Sequence, residues 1–147
     1  MTPTSEQYAT FAHRVSAAAN THDVERVVEC FTEDYRNEAP VHPSRNFQGR
    51  DQVRRNWTAI FASVPDIETR VIRADQVGDQ VWSEWEMSGT RVDGEEHLMR
   101  GVMRFTVQGE HASAVRFYLE PVDGRDLSTD QALTQILTSP GAERSRS

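Results

Sequence analysis

The chain has 147 residues, enough for one domain that buries a sizeable core without disulfides or metal, and its one cysteine, Cys30, has no partner for an internal bridge. Sixteen basic against 23 acidic residues give a formal net charge of -7, with no lysine- or arginine-rich stripe to track phosphates, so nucleic acid is not an expected partner. No apolar stretch approaches the roughly 20 residues of a membrane span, and "MTPTSEQYATFAHR" lacks the basic and apolar regions of a secretory signal, so a soluble cytoplasmic protein without a membrane partner is expected.

Tyr8, Phe11, Val15 and Ala18 fall at helical spacing, and Val24, Val27, Val28 and Phe31 repeat it after the break "NTHD". Two opening helices are predicted, the second capped by Thr21 or Asp23. "YRNEAPVHP" then reads as a strand end running into a proline-broken loop. "RDQVRRNWTAIFASV" returns to helical period, with Val53, Trp57, Ile60, Phe61 and Val64 on one side, and Pro65 ends it.

From Ile67 the period changes to two. "IETRVIRADQV", "DQVWSEWEMSGTRV", "HLMRGVMRFTV" and "SAVRFYLEPV" are strand-like and are separated by turns at "VGD", "VDGEE" and "VQGEH". Three helices followed by a meander predict an α+β domain in which a curved antiparallel sheet wraps over helices. The expected divisions are a domain over 1–125, a short helix over 126–138 and a disordered tail over 139–147, with no internal repeat.

Strand parity separates two faces. One collects Ser83, Trp85, Met87, His97, Met99, Gly101, Met103, Phe105, Val115, Phe117 and Leu119, is mostly apolar and should face the helices. The other collects Trp82, Glu84, Glu86, Arg100, Val102, Arg104, Arg116, Tyr118 and Glu120, which predicts a ladder of cross-strand ion pairs on the outer surface, with Glu84, Glu86 and Glu120 pointing away from any pocket.

No Walker loop, Gly-x-Gly-x-x-Gly, Cys-x-x-Cys or His-Glu-x-x-His occurs, so neither a cofactor nor a metal is expected. The concentration of chemistry is in "YRNEAPVHP", which holds a phenol, an amide, a carboxylate and an imidazole.

The run "FTEDYRNEAPVHP", then "FQGRDQVRRNW", then the meander to "VRFYLEPV" resembles the nuclear-transport-factor-2-like superfamily, in its SnoaL-like branch, over Tyr8 to Val122. The resemblance implies a cone in which helices and concave sheet enclose one deep pocket, and a convex face that forms a homodimer. Within it, limonene-epoxide hydrolases are similar at Tyr35 and Asn37, a pair that positions an attacking water, and at Gly49, Arg50 and Asp51. Their remaining catalytic positions fall at Trp85, Met87 and Phe117. The catalytic aspartate of ketosteroid isomerases falls at Ala39, next to Glu38, and their oxyanion-hole aspartate falls at Met103. The late acid of SnoaL-type polyketide cyclases has only Glu120 near it.

The candidate catalytic residues are therefore Tyr35, Asn37, His42 and Glu38, with His42 or Glu38 as base. The candidate wall of a substrate pocket is Phe11, Trp57, Phe61, Trp85, Met87, His97, Met99, Met103 and Phe117, aromatics and methionines that suit an irregular apolar ligand and equally fill cores. The expected function is cofactor-free acid–base chemistry on an apolar small molecule: ring closure, isomerisation or water addition to an epoxide. The alternatives are a non-catalytic binding protein on the same cone and an assembly module that uses the charged face.

Overall fold

The computed structural model describes residues 9–139. Tyr8, the first residue of the expected opening stripe, and residues 140–147 of the expected tail lie outside them. Helix α1 spans Phe11–Asn20 and starts at a capping box in which Thr10 and His13 satisfy each other's backbone. Helix α2 is short, Val24–Val28, and is capped by Asp23, whose carboxylate accepts from the Glu25 N–H at 3.1 Å. Strand β1 follows at Phe31–Glu38, then a single 3₁₀ turn at Pro43–Arg45, β2 at Phe47–Gln48 and helix α3 at Arg50–Ser63. The meander is β3 Glu68–Val77, β4 Gln80–Thr90, β5 Glu96–Gln108 and β6 His111–Pro121, and helix α4 spans Thr129–Thr138.

Phe31 was expected to end the second helical stripe and instead opens β1. Its ring still enters the core beside Phe11, at 6.1 Å between centroids, so helical spacing with Val27 and Val28 coincided with a shared burial direction. The sheet has six strands in the order β2-β1-β6-β5-β4-β3. All neighbours are antiparallel except β1 and β6, which pair in parallel and bring the opening loop beside the last strand.

The parity of the meander is as expected where it matters for the core: Ser83, Trp85, Met87, Met103, Phe105, Val115 and Leu119 are buried under the helices. Gly101 lies between Trp85 on β4 and Leu119 on β6, and a Cβ there would collide with the backbone of Tyr118 and Leu119. The missing side chain lets two strands close on each other under the large indole of Trp85. Helix α1 is tied to β3 by Ser16 and Thr69, hydroxyl to hydroxyl at 2.7 Å, and by Asn20, which bonds the Thr69 backbone in both directions.

The outer face carries less of a ladder than expected. Glu86 is paired with Arg100 at 2.9 Å and Arg70 at 3.4 Å, and the Arg100 hydrogen bond first, with Arg70 behind it, holds the Glu86 carboxyl below its usual range. Arg116 pairs with Glu38 of β1 at 3.0 Å. Arg104, however, stands opposite Arg116 rather than an acid, and it covers the Trp82 ring at 5.3 Å.

Candidate functional site

Under the apolar face lies a cavity of about 340 Å³ between β1, α3 and the meander. Six of the expected wall residues line it: Trp57, Trp85, Met87, Met99, Met103 and Phe117. Three do not. Phe11 is core, packed edge-on against Phe105 at 5.1 Å; Phe61 backs onto Trp57 and His22; His97 sits half-exposed near the start of β5, opposite Gly89. The wall is kept apolar by an internal relay. Trp85 Nε1 donates to Ser83 Oγ at 2.8 Å and Ser83 Oγ donates to the Met103 carbonyl at 2.6 Å, so the indole N–H is already satisfied.

Tyr35 and Asn37 alternate on β1 and both reach this cavity. Tyr35 is 4% exposed, its ring packs on Phe31 at 4.4 Å and Phe47 at 6.1 Å, and among the described residues its hydroxyl has no hydrogen-bond partner. Burial raises its pKa far above the ordinary phenol range, so it is a neutral donor at any physiological pH. The Asn37 amide likewise has no partner among the described residues. Asn37 is half-buried and neither group is sealed from solvent, so both are open to the cavity and available to a polar atom of a ligand or to water.

Beside the apolar cavity lies a polar chamber of about 480 Å³, and Asn37, Phe47, Asn56 and Phe117 line both. Its outer wall is the proline-broken loop, whose backbone is organised from within. Asn46 Oδ1 accepts from the Ala39 N–H at 2.7 Å, the His42 N–H donates to the Ala39 carbonyl at 2.9 Å, and the Arg45 N–H to the His42 carbonyl at 2.9 Å. His42 lines this chamber and its Nε2 lies 2.8 Å from Glu120 Oε1.

Glu120 itself lines neither chamber, in keeping with the expectation that it points away from the pocket. Its backbone register is as read, opposite Arg100, but it lies at the end of β6, where the loop after β1 crosses the sheet rim and brings His42 to it. Glu84 and Glu86 also stay outside. Glu38 is held by Arg116 and lines neither chamber, so of the two candidate bases only His42 stands at the site. Arg50, part of the epoxide-hydrolase-like run, donates through Nε and Nη2 to the Phe31 carbonyl at 2.8 and 2.6 Å and anchors α3 to β1. Asn56 was missed, although its spacing was a signal: a polar residue three positions after Val53 and four before Ile60, on the apolar side of the helix.

Three helices and a curved sheet closed over one apolar cavity, with a loop and β1 supplying the polar groups, define the cone architecture of nuclear-transport-factor-2-like proteins. Residues 12–115 match the model of the SnoaL-like domain, and the chain belongs to that family. No curated protein matches it. Among solved structures it is similar to an uncharacterised cystatin-fold protein from Novosphingobium aromaticivorans, at 26% identity over 74% of this chain and 94% of that one, TM-score 0.60. It also resembles the epoxide hydrolase/cyclase-like enzyme SalBIII, which has a role in pyran ring formation in the polyether salinomycin, at 19% identity, 78% and 92% coverage and TM-score 0.66. A hypothetical protein with a ketosteroid isomerase-like fold from Catenulispora acidiphila, in complex with trimethylamine, matches at 16% identity, 85% and 90% coverage and TM-score 0.62. No group of three or more metal-ligating side chains is found among the described residues, and no described helix is long and apolar enough to cross a membrane.

Proposed function

We propose that this chain is a SnoaL-like enzyme that moves a proton on a largely apolar small molecule, the step shared by ring closure, isomerisation and water addition. One observation carries the reading: an apolar cavity is lined by a hydroxyl and an amide that have no hydrogen-bond partner among the described residues, and an imidazole backed by a carboxylate stands in the adjoining chamber. With Nε2 bonded to Glu120, His42 has Nδ1 left to take a proton, and Glu120 holds the ring in one orientation as a positioning residue. Tyr35 and Asn37 would hold the substrate oxygen. A general base in such an arrangement contributes about 10²–10⁴-fold in rate.

The test is turnover, followed by mass spectrometry in deuterated water, against aromatic polyketides, terpene epoxides and cyclic ketones, with His42→Ala as control. His42-dependent label uptake or product supports the reading. Tight binding of these compounds without either would support the second reading, a binding protein, which the absence of any carboxylate from the apolar wall favours. The cone would work as a homodimer through its outer face: Trp82 and Tyr118 are 46% and 36% exposed there, and Arg104 Nε is buried without a hydrogen-bond partner.

A further inference from the structure

Two amides in the wall of the polar chamber have their oxygens already taken by the protein. Asn46 Oδ1 accepts from the Ala39 N–H at 2.7 Å, and a backbone N–H can only donate, so the Asn46 NH₂ is the end left over. Asn56 is fixed in the same sense by a chain along α3. Arg55 Nη2 donates to Gln52 Oε1 at 2.6 Å, and Gln52 Nε2 donates to Asn56 Oδ1 at 2.7 Å. A guanidinium also only donates, so Gln52 turns its oxygen to Arg55 and its nitrogen to Asn56, whose NH₂ remains unspent.

Arg45 adds a charge. It ends the 3₁₀ turn after His42, lines the chamber, and its guanidinium has no ion-pair or hydrogen-bond partner among the described residues. The chain has 23 acidic residues, yet none of the described ones lines either chamber. The acids on the flanking elements are engaged elsewhere: Glu38 with Arg116 at 3.0 Å, Asp51 with Arg54 at 3.2 Å and Glu120 with His42 at 2.8 Å. In a chain of net charge -7, this wall offers a cation and amide donors with no acid among them.

We propose that the polar chamber is a subsite for a carboxylate, and that the ligand is an amphipathic acid whose head lies beside Arg45 and whose hydrocarbon body passes the neck into the apolar cavity. An exposed ion pair alone is worth little. Selectivity comes instead from the match of hydrogen-bonding kinds: a carboxylate has two oxygens that accept and nothing that donates, and the donors are distributed around the chamber, so no two of them need share one oxygen. An amide head would bring donors to a wall where two amide oxygens are taken. An ammonium would meet Arg45 with no counter-charge, and a phosphate monoester, with nearly two charges at neutral pH, would face a single guanidinium. Because Arg45 and Asn46 are exposed, the carboxylate keeps part of its hydration there, which the apolar cavity would strip. The subsite deepens the proton-transfer reading and rests on it for any reaction: the carbon that passes His42 is then one near the acid end of the ligand.

The experiment separates binding from turnover. Cyclohexylbutanoate and cyclohexylbutanamide differ in head group at nearly the same shape and do not fluoresce, so the emission of Trp57 and Trp85 in the cavity wall reports both. At about pH 8, where the acid is ionised, the wild type is expected to favour it over the amide by about three- to thirtyfold. Arg45→Met should bring that ratio to about twofold or less, and Arg45→Lys, which keeps a charged donor, should retain part of it. Asn46→Asp keeps an acceptor for the Ala39 N–H and puts a charge where the NH₂ stood, so it should turn the preference toward the amide. Equal affinity for acid and amide, tighter binding of cyclohexylbutylamine, no saturable binding of the acid, or an unchanged ratio in folded Arg45→Met protein overturns the proposal. Deuterium uptake and product are read separately. Acid preference without His42-dependent turnover sinks the enzyme reading and leaves the subsite standing, and His42-dependent turnover without acid preference does the reverse.

Discussion

Replacing Tyr35 by Phe should leave the protein at least as stable and weaken its function. The ring is 4% exposed and packs on Phe31 and Phe47, and phenylalanine keeps those contacts. The Tyr35 carbonyl accepts from the Gly49 N–H at 2.7 Å, a backbone bond that the change does not touch. Only the hydroxyl goes, and among the described residues it bonds to nothing. Burying a hydroxyl without a partner costs about 1–3 kcal/mol in proteins, less where cavity water reaches it, so Tyr35→Phe should change unfolding free energy by about 0 to +1.5 kcal/mol. For a chain of this size that is a rise in Tm of about 0–6 °C.

Denaturant unfolding followed by tryptophan emission measures the stability, and fluorescence titration with the cyclic ketones and terpene epoxides measures the function, where a loss of about three- to thirtyfold in affinity is expected. A polar group whose removal stabilises the fold and weakens the site is retained for the ligand. A loss of more than about 1 kcal/mol in stability with unchanged affinity would refute this, because it would mean the hydroxyl is structural, held through water.

Glu120→Gln should lower kcat about tenfold with little change in KM and in Tm, and Glu120→Asp should recover part of it, because the pair with His42 is solvent-accessible and orients rather than supports. Arg116→Glu should dissociate the proposed dimer by placing a second acid beside Glu38, without altering ligand affinity, and light scattering that shows only monomer for the wild type at micromolar concentration removes the claim. Gly101→Ala should cost about 2–4 kcal/mol, since its Cβ meets strand backbone that cannot rotate aside, and a thermal melt within a degree of wild type would contradict the packing. Because burial raises the Tyr35 pKa in the fold, its contribution to stability is full below about pH 10, where an unfolded tyrosine begins to ionise, and is lost as pH rises beyond that. Urea midpoints between pH 8 and 11.5 (about half-unit steps) should therefore fall less for Tyr35→Phe than for wild type.

Period-two alternation made the meander's contribution legible: Trp85, Met87, Met99, Met103 and Phe117 share one face and line the cavity, since parity in a paired strand leaves no freedom. The polar half was less legible because it depends on where loops pass. Nothing in "EAPVHPSRN" fixes that His42 crosses the rim to Glu120, a contact between residues 78 apart that exists only because β1 and β6 pair in parallel. Glu38 failed for the same reason in reverse, its parity on β1 giving it to Arg116. Asn56 lies at the spacing of the apolar stripe of α3, and only the second chamber, which Gln52 also lines, shows that this border of the helix is wetted from within.

The division between an apolar wall and a polar rim also limits where any reaction could occur. The cavity floor holds no group that ionises near neutrality, because its indole N–H is bound within the protein and its phenol is kept neutral by burial. Such a floor can grip a hydrocarbon skeleton and steady developing charge, but it cannot take a proton. The imidazole belongs to the polar chamber, and it meets the floor only across the neck that Asn37, Phe47, Asn56 and Phe117 share. If His42 is the base, the labile carbon must sit at that neck, with its carbonyl oxygen turned inward and the bulk of the molecule below. Phe47 and Phe117 then set how far a substrate descends. Phe117→Ala should accordingly admit longer skeletons while moving the reactive carbon of short ones away from His42, so kcat falls for small ketones and rises relative to them for larger ones. A uniform fall across a size series, with affinity lost in proportion, would show instead that Phe117 is only wall, and that the neck does not position the reacting carbon.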